Sequence, residues 1–220
     1  MRNFIVWVIL VLSGLTPFYF VSVAYYQGYN YSIPINPRVV RFEQQFNYLA
    51  SVIAVDNEYK ASINRIKTII RKRNKLIPQN IAESIAREIY LANLKYSIDI
   101  NLICALITQE SYWNILATSY KGAGGLMQIM PGTGLELCKE LNIIWEGYAT
   151  LYNPVLNVQL GTYYLYKLIN KYETKGALVA YNGGHNGWLY WQRTGIMFKE
   201  TQGYVPRIYS FLNQFQSVNL

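Results

Sequence analysis

Apolar positions along this chain fall into one unbroken run and several stripes at helical spacing. The run is Phe4 to Ala24, which carries no charge; after Arg2 the next charged residue is Arg38. About 21 uncharged residues suffice to span a bilayer, and Arg2 ahead of the run favours an inward N-terminus. A cleaved signal peptide also fits, with an apolar region at Phe4–Leu15 and a small-x-small site at Ser22-Val23-Ala24. Bulky Phe18, Tyr19 and Phe20 crowd that site, which tips the expectation toward an uncleaved anchor. Either way residues 1–24 export the rest of the chain.

Beyond the run the pattern turns helical. Residues 25–37 hold Pro34 and Pro37 and read as an extended linker. Residues 38–77 read as a helical arm. Phe42, Phe46, Leu49 and Ile53 share one face, and Asp56 is expected to cap a second helix with Ile63, Ile66 and Ile70 inward. Residues 78–220 read as one mainly α domain. Pro78 suits a first turn, and Ile81, Ile85, Ile89 and Leu94 follow as core positions. A short helix is expected over Thr133–Leu141 and a long one from Asn153-Pro154, with Val158, Leu165, Leu168 and Ile169 inward. Ala177–Tyr181 predicts another short helix, stopped by Gly183-Gly184, and the tail from Tyr204 to about Phe215 predicts a last one. At most a small β-hairpin is expected.

The stretch that organises the domain is residues 99–131. Asp99 is placed to cap a helix, and Leu102, Cys104, Ala105, Leu106 and Ile107 make that helix apolar nearly all round, hence buried. It ends on one carboxylate, Glu110. Burial and the negative end of the helix dipole both disfavour the anion there. A glutamate with a raised pKa is suited to general-acid work near neutral pH. On position alone, Glu110 reads more readily as a residue marking where a helix surfaces. Gly122-Ala123-Gly124-Gly125 then forms a turn able to fold Leu126, Met127 and Gln128 back beside it.

Charge and composition narrow the picture. The net charge of +8 is concentrated: residues 38–77 hold nine Lys/Arg against three Asp/Glu, while residues 78–220 hold ten against nine. A basic arm suits an anionic lipid or wall surface, and Arg71-Lys72-Arg73-Asn74-Lys75 equally suits a solvated helix end. No zinc-ligand cluster, phosphate loop or nucleic-acid motif accompanies it, so nucleic acid is not an expected partner. The 21 tyrosines are unusually many. Some are expected in the core and others along a sugar groove. Cys104 and Cys138 both lie in apolar helical patterns and are expected as separate buried thiols. His185 is the only histidine; with no nucleophile or orienting acid apparent for it, a structural role is expected.

Four motifs in order resemble those of the soluble-lytic-transglycosylase (SLT) domain. They are Glu110-Ser111, Gly122 to Pro131 with its Gly-Leu-Met-Gln core, Ala180-Tyr181-Asn182-Gly183-Gly184, and Glu200-Thr201-Gln202-Gly203-Tyr204-Val205. Gly183 stands where the family has alanine. The resemblance covers roughly residues 78–212. It implies a lysozyme-like fold of the goose-type branch and a periplasm-facing place in the cell envelope. Glycan strands of peptidoglycan are the implied partner, and the membrane is a second one through an uncleaved N-terminal segment. Partners in wall synthesis or secretion are not specified.

The implied chemistry uses one carboxylate. Glycoside cleavage ordinarily takes two, yet residues 111–135 contain no Asp or Glu, and Asp99 stands a helix length from Glu110. The remaining candidates for a second carboxylate are Glu136, Glu140, Glu146, Glu173 and Glu200. The resemblance implies that Glu110 acts as acid and then base on the MurNAc-β-1,4-GlcNAc bond, leaving a 1,6-anhydro end without cofactor or metal. It further implies that Ser119 contacts the acetamido group and that Gln128 and Met130 line the groove. Tyr181 and Asn182 would hold the sugar, Tyr204 would lie near Glu110, and Glu200 would lie along the muramoyl side. Ser111 is a further site residue or a helix-end hydroxyl. Met127 divides evenly between core and groove. A muramidase on the same fold and a non-catalytic wall-binding module are the alternatives.

Overall fold

The computed structural model describes residues 25–26, 29–30 and 37–217. In chain order the elements are β1 (Tyr25–Tyr26), β2 (Tyr29–Asn30), α1 (Pro37–Arg73), α2 (Gln79–Tyr96), α3 (Ile100–Ser111), α4 (Pro131–Leu141), α5 (Tyr148–Tyr152), α6 (Pro154–Thr194), α7 (Lys199–Gln202) and α8 (Tyr204–Ser217). The architecture is mainly α, as the periodicity predicts. The Phe4–Ala24 run lies outside the described residues. Among those residues no helix is long and apolar enough to cross a membrane.

The chain divides into two compact units at Glu58/Tyr59. The first contains β1 and β2, paired antiparallel with Tyr25 opposite Asn30 and Tyr26 opposite Tyr29, and the N-terminal part of α1. The expected break at Asp56 is absent: α1 runs unbroken through it. No proline or glycine interrupts residues 38–73, so nothing ends the helix there, and capping offers no gain over continued backbone pairing.

The second unit is the larger. Its core begins with Ile63, Ile66, Ile69 and Ile70 from the end of α1 and continues through Ile85 and Ile89 of α2. Here α2 lies along α6 and α3 along α8. The buried face of α2 is Ala82, Ile85, Ala86, Ile89 and Ala92. Leu94, expected inward, is 62% exposed; two positions past Ala92 it is rotated by about 200° from the packed stripe. Arg73 departs from the expected solvated helix end. Its guanidinium lies 5.2–5.6 Å from the ring centroids of Tyr112, Phe211 and Phe215 and donates to Tyr112 Oη and Gln214 Oε1. That arrangement staples α1, the end of α3 and α8 together.

Two short helices, α5 and α7, carry too few residues to show a periodicity and are not predicted. Helix α6 leaves helical geometry at Glu173 (φ 56°) and Gly184 (φ 66°). The second break falls in the glycine pair expected to end a helix.

Candidate active site

Local sequence fixes where Glu110 points. Asp99 caps α3 as expected, its Oδ1 accepting from the backbone N–H of Asn101 at 2.6 Å and Leu102 at 3.1 Å. Asn101 through Thr108 are all buried, so α3 runs through the core and surfaces at its C-terminal end over Gln109, Glu110 and Ser111. Tyr112 ends the helix in the left-handed region (φ 51°), its N–H donating to the Thr108 carbonyl, and Trp113 follows at φ 66°. Two successive aromatic residues at positive φ are strained. Full burial of Trp113 compensates: its Nε1 donates to Thr108 Oγ1 at 2.9 Å, and its carbonyl accepts from Asn74 Nδ2 at 2.9 Å.

The glycine turn is locked from α6. Thr118 bridges to Gly124, and Gly124 to Ile129, so residues 118–129 fold back as an irregular hairpin. Asn157, with no exposed surface, accepts from Met127 N–H at 2.7 Å and donates to the carbonyls of Gly124 (3.0 Å) and Leu151 (2.9 Å). Gly125 has φ 80°, and a Cβ there would stand 2.1 Å from the Leu151 carbonyl oxygen and 2.3 Å from Asn157 Nδ2. Met127, fully buried, packs where a side chain on Gly161 would otherwise sit. Its carbonyl accepts from Tyr181 Oη at 2.9 Å.

Burial raises the carboxyl of Glu88 as well as that of Glu110, and Glu110 is the one at the helix end beside the motif residues. Burial pushes the Glu110 carboxyl up to about 7, while a hydrogen bond donated by Tyr204 Oη to Glu110 Oε1 pulls the other way. Tyr204 and Tyr181 are both held well above the ordinary phenol range, first by burial and next by the Glu110 charge. Both phenols are therefore neutral donors. Tyr164 packs on Tyr181 with ring centroids 5.2 Å apart. No second carboxylate among the described residues adds to the shift of Glu110.

The other expected site residues lie as follows. Ser111 Oγ donates to the Ile107 carbonyl and accepts from Trp113 N–H, within the helix-end turn. Ser119 Oγ accepts from Ala123 N–H at 3.0 Å. Gln128 takes φ 48°, and its Nε2 donates to the carbonyls of Ala117 and Gly125, so its amide holds the loop. Met130 is 43% exposed at the start of α4. Asn182 Oδ1 accepts from Thr201 Oγ1 at 2.8 Å. Glu200 is exposed and paired with Lys121 Nζ at 3.0 and 3.1 Å, joining α7 to the glycine loop. His185 accepts from or donates to Tyr172 Oη at 2.7 Å and stacks with Tyr172 and Trp188. Cys104 and Cys138 are separate free thiols, both buried.

Sequence reading passes over Trp113, Asn157, Thr201 and Lys121. Asn157 leaves one signal, a polar residue on the inward face of a helix between Leu156 and Val158. Thr201 and Lys121 leave none beyond their nearness to motif residues, because their partners lie 19 and 79 residues away, and Trp113 leaves none because its burial is set by packing.

Chemically, the arrangement offers one half-buried acid whose pKa is raised to about 7 and two neutral phenols beside it. Such a carboxyl can release a proton to a leaving oxygen and regain one afterwards. The hydrogen bond from Tyr204 favours the anion between those two steps.

Comparison with known proteins fits this geometry. The Transglycosylase SLT domain family matches residues 89–200, about half of the chain. The soluble lytic murein transglycosylase of Salmonella typhimurium is 34% identical over 122 residues, covering 49% of this chain and 19% of the relative. The membrane-bound lytic murein transglycosylase C of Photorhabdus laumondii is 28% identical over 163 residues, covering 68% of this chain and 45% of the relative. The crystal structure of the 70 kDa soluble lytic transglycosylase of Escherichia coli superposes with a TM-score of 0.55 at 28% identity, over 59% of this chain and 24% of that one. This chain spans about a fifth of the length of the soluble relatives it matches.

Proposed function

This chain belongs to the transglycosylase SLT domain family, and from that premise we propose that it is a peptidoglycan lytic transglycosylase in which Glu110 serves as acid and then base. The carboxyl of Glu110 protonates the oxygen linking MurNAc C1 to GlcNAc, and the C1–O bond breaks. The 2-acetamido oxygen of the substrate holds C1 meanwhile, as in substrate-assisted glycosidases. Ionised Glu110, stabilised by Tyr204, then takes the proton of the muramoyl 6-hydroxyl as O6 closes on C1. One C–O bond breaks, one forms, and no water is consumed.

One observation carries the reading: a single half-buried, desolvated carboxyl whose pKa is pushed up to about 7, with no second carboxylate acting on it. Glu200, the carboxylate in the neighbouring motif, is exposed and engaged by Lys121. With no protein base to activate water, the tethered 6-hydroxyl is the favoured nucleophile, because well-oriented intramolecular groups reach effective molarities of about 10⁵ M or more. In this reading Tyr181 and Asn182 hold the sugar, Ser119 orients the acetamido group, and Gln128, Met130, Ser111 and Glu200 line the groove. The chain acts on the periplasmic side of the cell envelope, membrane-anchored or exported through residues 1–24.

Digestion of purified sacculi, read by mass spectrometry, tests the proposal. Fragments ending in 1,6-anhydro-MurNAc and resistant to borohydride reduction are expected. Reducing muramoyl ends would establish a muramidase and turn attention to Glu200 or Glu136 as the second carboxylate. Glycan binding without any cleavage would establish a wall-binding module.

A further inference from the structure

Among the described residues nothing covers the apolar stripe at the start of α1. Phe42 is 68% exposed, Phe46 55%, Leu49 58% and Ile53 59%. Later in the same helix Ile63, Ile66 and Ile70 have similar spacing and lie in the core at 6% exposure or less. An uncovered row of large apolar side chains marks an interaction surface.

The spacing says what kind. Val39, Phe42, Phe46, Leu49 and Ile53 alternate by three and four residues, which is the a-d-a-d-a order of a coiled-coil heptad. The outward f positions are Gln44, Ser51 and Glu58, all polar. The seam stops where Asp56 takes the next d position and Lys60 the next a position. Helix α1 continues unbroken to Arg73, so the seam extends from a helix that is already nucleated.

Residue choice then selects the partner. Two of the three a positions, Val39 and Ile53, are β-branched, and d includes Leu49. That combination favours two parallel strands. In the same register Arg38 falls at g and Glu43 at e, five residues later. In a parallel pair g faces the following e of the partner helix, so opposite charges meet once from each side. We propose that the α1 segment from Val39 to Ile53 is a parallel dimerisation seam for a second copy of this chain.

The test uses the full chain in mild detergent. Sedimentation should show a concentration-dependent dimer that is lost in the Phe46→Asp/Leu49→Asp variant, with helicity by circular dichroism retained. Leu49→Cys should be joined to its own copy by a short bismaleimide far more efficiently than Gln44→Cys, which stands at an outward position. Arg38→Glu and Glu43→Arg should each weaken the dimer, and the two together should restore it. A monomer at every concentration, or equal cross-linking at positions 44 and 49, overturns the proposal. So does a Phe46→Asp/Leu49→Asp variant that stops binding phosphatidylglycerol vesicles while its sedimentation is unchanged; the stripe would then face lipid.

Discussion

Tyr204 donates its phenolic hydrogen to the carboxylate of Glu110, across 94 residues of sequence. The bond joins the first residue of α8 to the end of α3, and it is the one described contact that opposes the upward drive of burial on Glu110. Its energetic sense gives the first prediction. Tyr204→Phe removes a donor to the anion, so the Glu110 pKa should rise above about 7. The alkaline limb of the kcat/KM profile, set by loss of the acid's proton, should move to higher pH on a soluble glycan substrate. A limb that stays put or moves down would separate Tyr204 from the acid.

Stability should carry the same signature. In the folded chain Glu110 binds its proton up to about 7, against a reference value of 4.5. Between those values the native state holds more protons than the unfolded state, so stability falls as pH rises through that window. The shift corresponds to a loss on the order of 3 kcal/mol by pH 8 relative to pH 4. Glu110→Gln should lack this component: near equal to wild type at pH 4 and more stable at pH 8, by urea unfolding. The same variant should lose cleavage by roughly 10²–10⁴-fold, the usual worth of general acid–base catalysis.

Asn157 and Gly125 should be the structural keys of the loop. Asn157→Ala leaves one N–H and two carbonyls without their partner, at a cost of about 2–4 kcal/mol. Gly125→Ala forces a methyl against the Leu151 carbonyl at positive φ and should be as damaging. Gly132→Ala is the control. Nothing lies within 4 Å of its Cβ, it sits in α4, and the exchange should stabilise by about 0.5–1 kcal/mol. Thermal melts of the three variants decide the matter.

Thr201 should act by positioning Asn182. It is 1% exposed, and its hydroxyl bond leaves the amide nitrogen of Asn182 as the free donor. Thr201→Val keeps the shape and removes the bond. It should lower kcat/KM roughly tenfold, which is about 1.4 kcal/mol, with little change in melting temperature. Thr201→Ser should restore most of the activity. Equal kinetics for the valine and serine variants would leave Thr201 a packing residue only.

How far the chain reveals itself depends on the range of the interactions. Helix positions follow from spacing and local punctuation. Asp99 caps α3 through bonds to residues two and three places on, and Pro131 and Asn153 open α4 and α6 by equally local means. The burial of α3, the place of Glu110 at its end and the break at Gly184 belong to the same class, because each is set within a turn or two of chain. The continuous α1 shows where local signals fail. Asp56 has the right chemistry for a cap, yet a helix ends only where backbone pairing becomes unfavourable, and no residue around it makes it so.

What the tertiary structure decides is which distant groups meet. Asn157 reaches the glycine loop from 30 residues away, Thr201 reaches Asn182 from 19, and Tyr204 reaches Glu110 from 94. No periodicity encodes such pairs, since they arise from packing of α3 on α8, of the loop on α6 and of α7 on α6. The pKa of Glu110 belongs to this level too. Sequence places a carboxylate at the end of an apolar helix, and the direction of its shift follows from that. How far the shift goes is set by burial in the folded chain, opposed by the hydrogen bond from Tyr204.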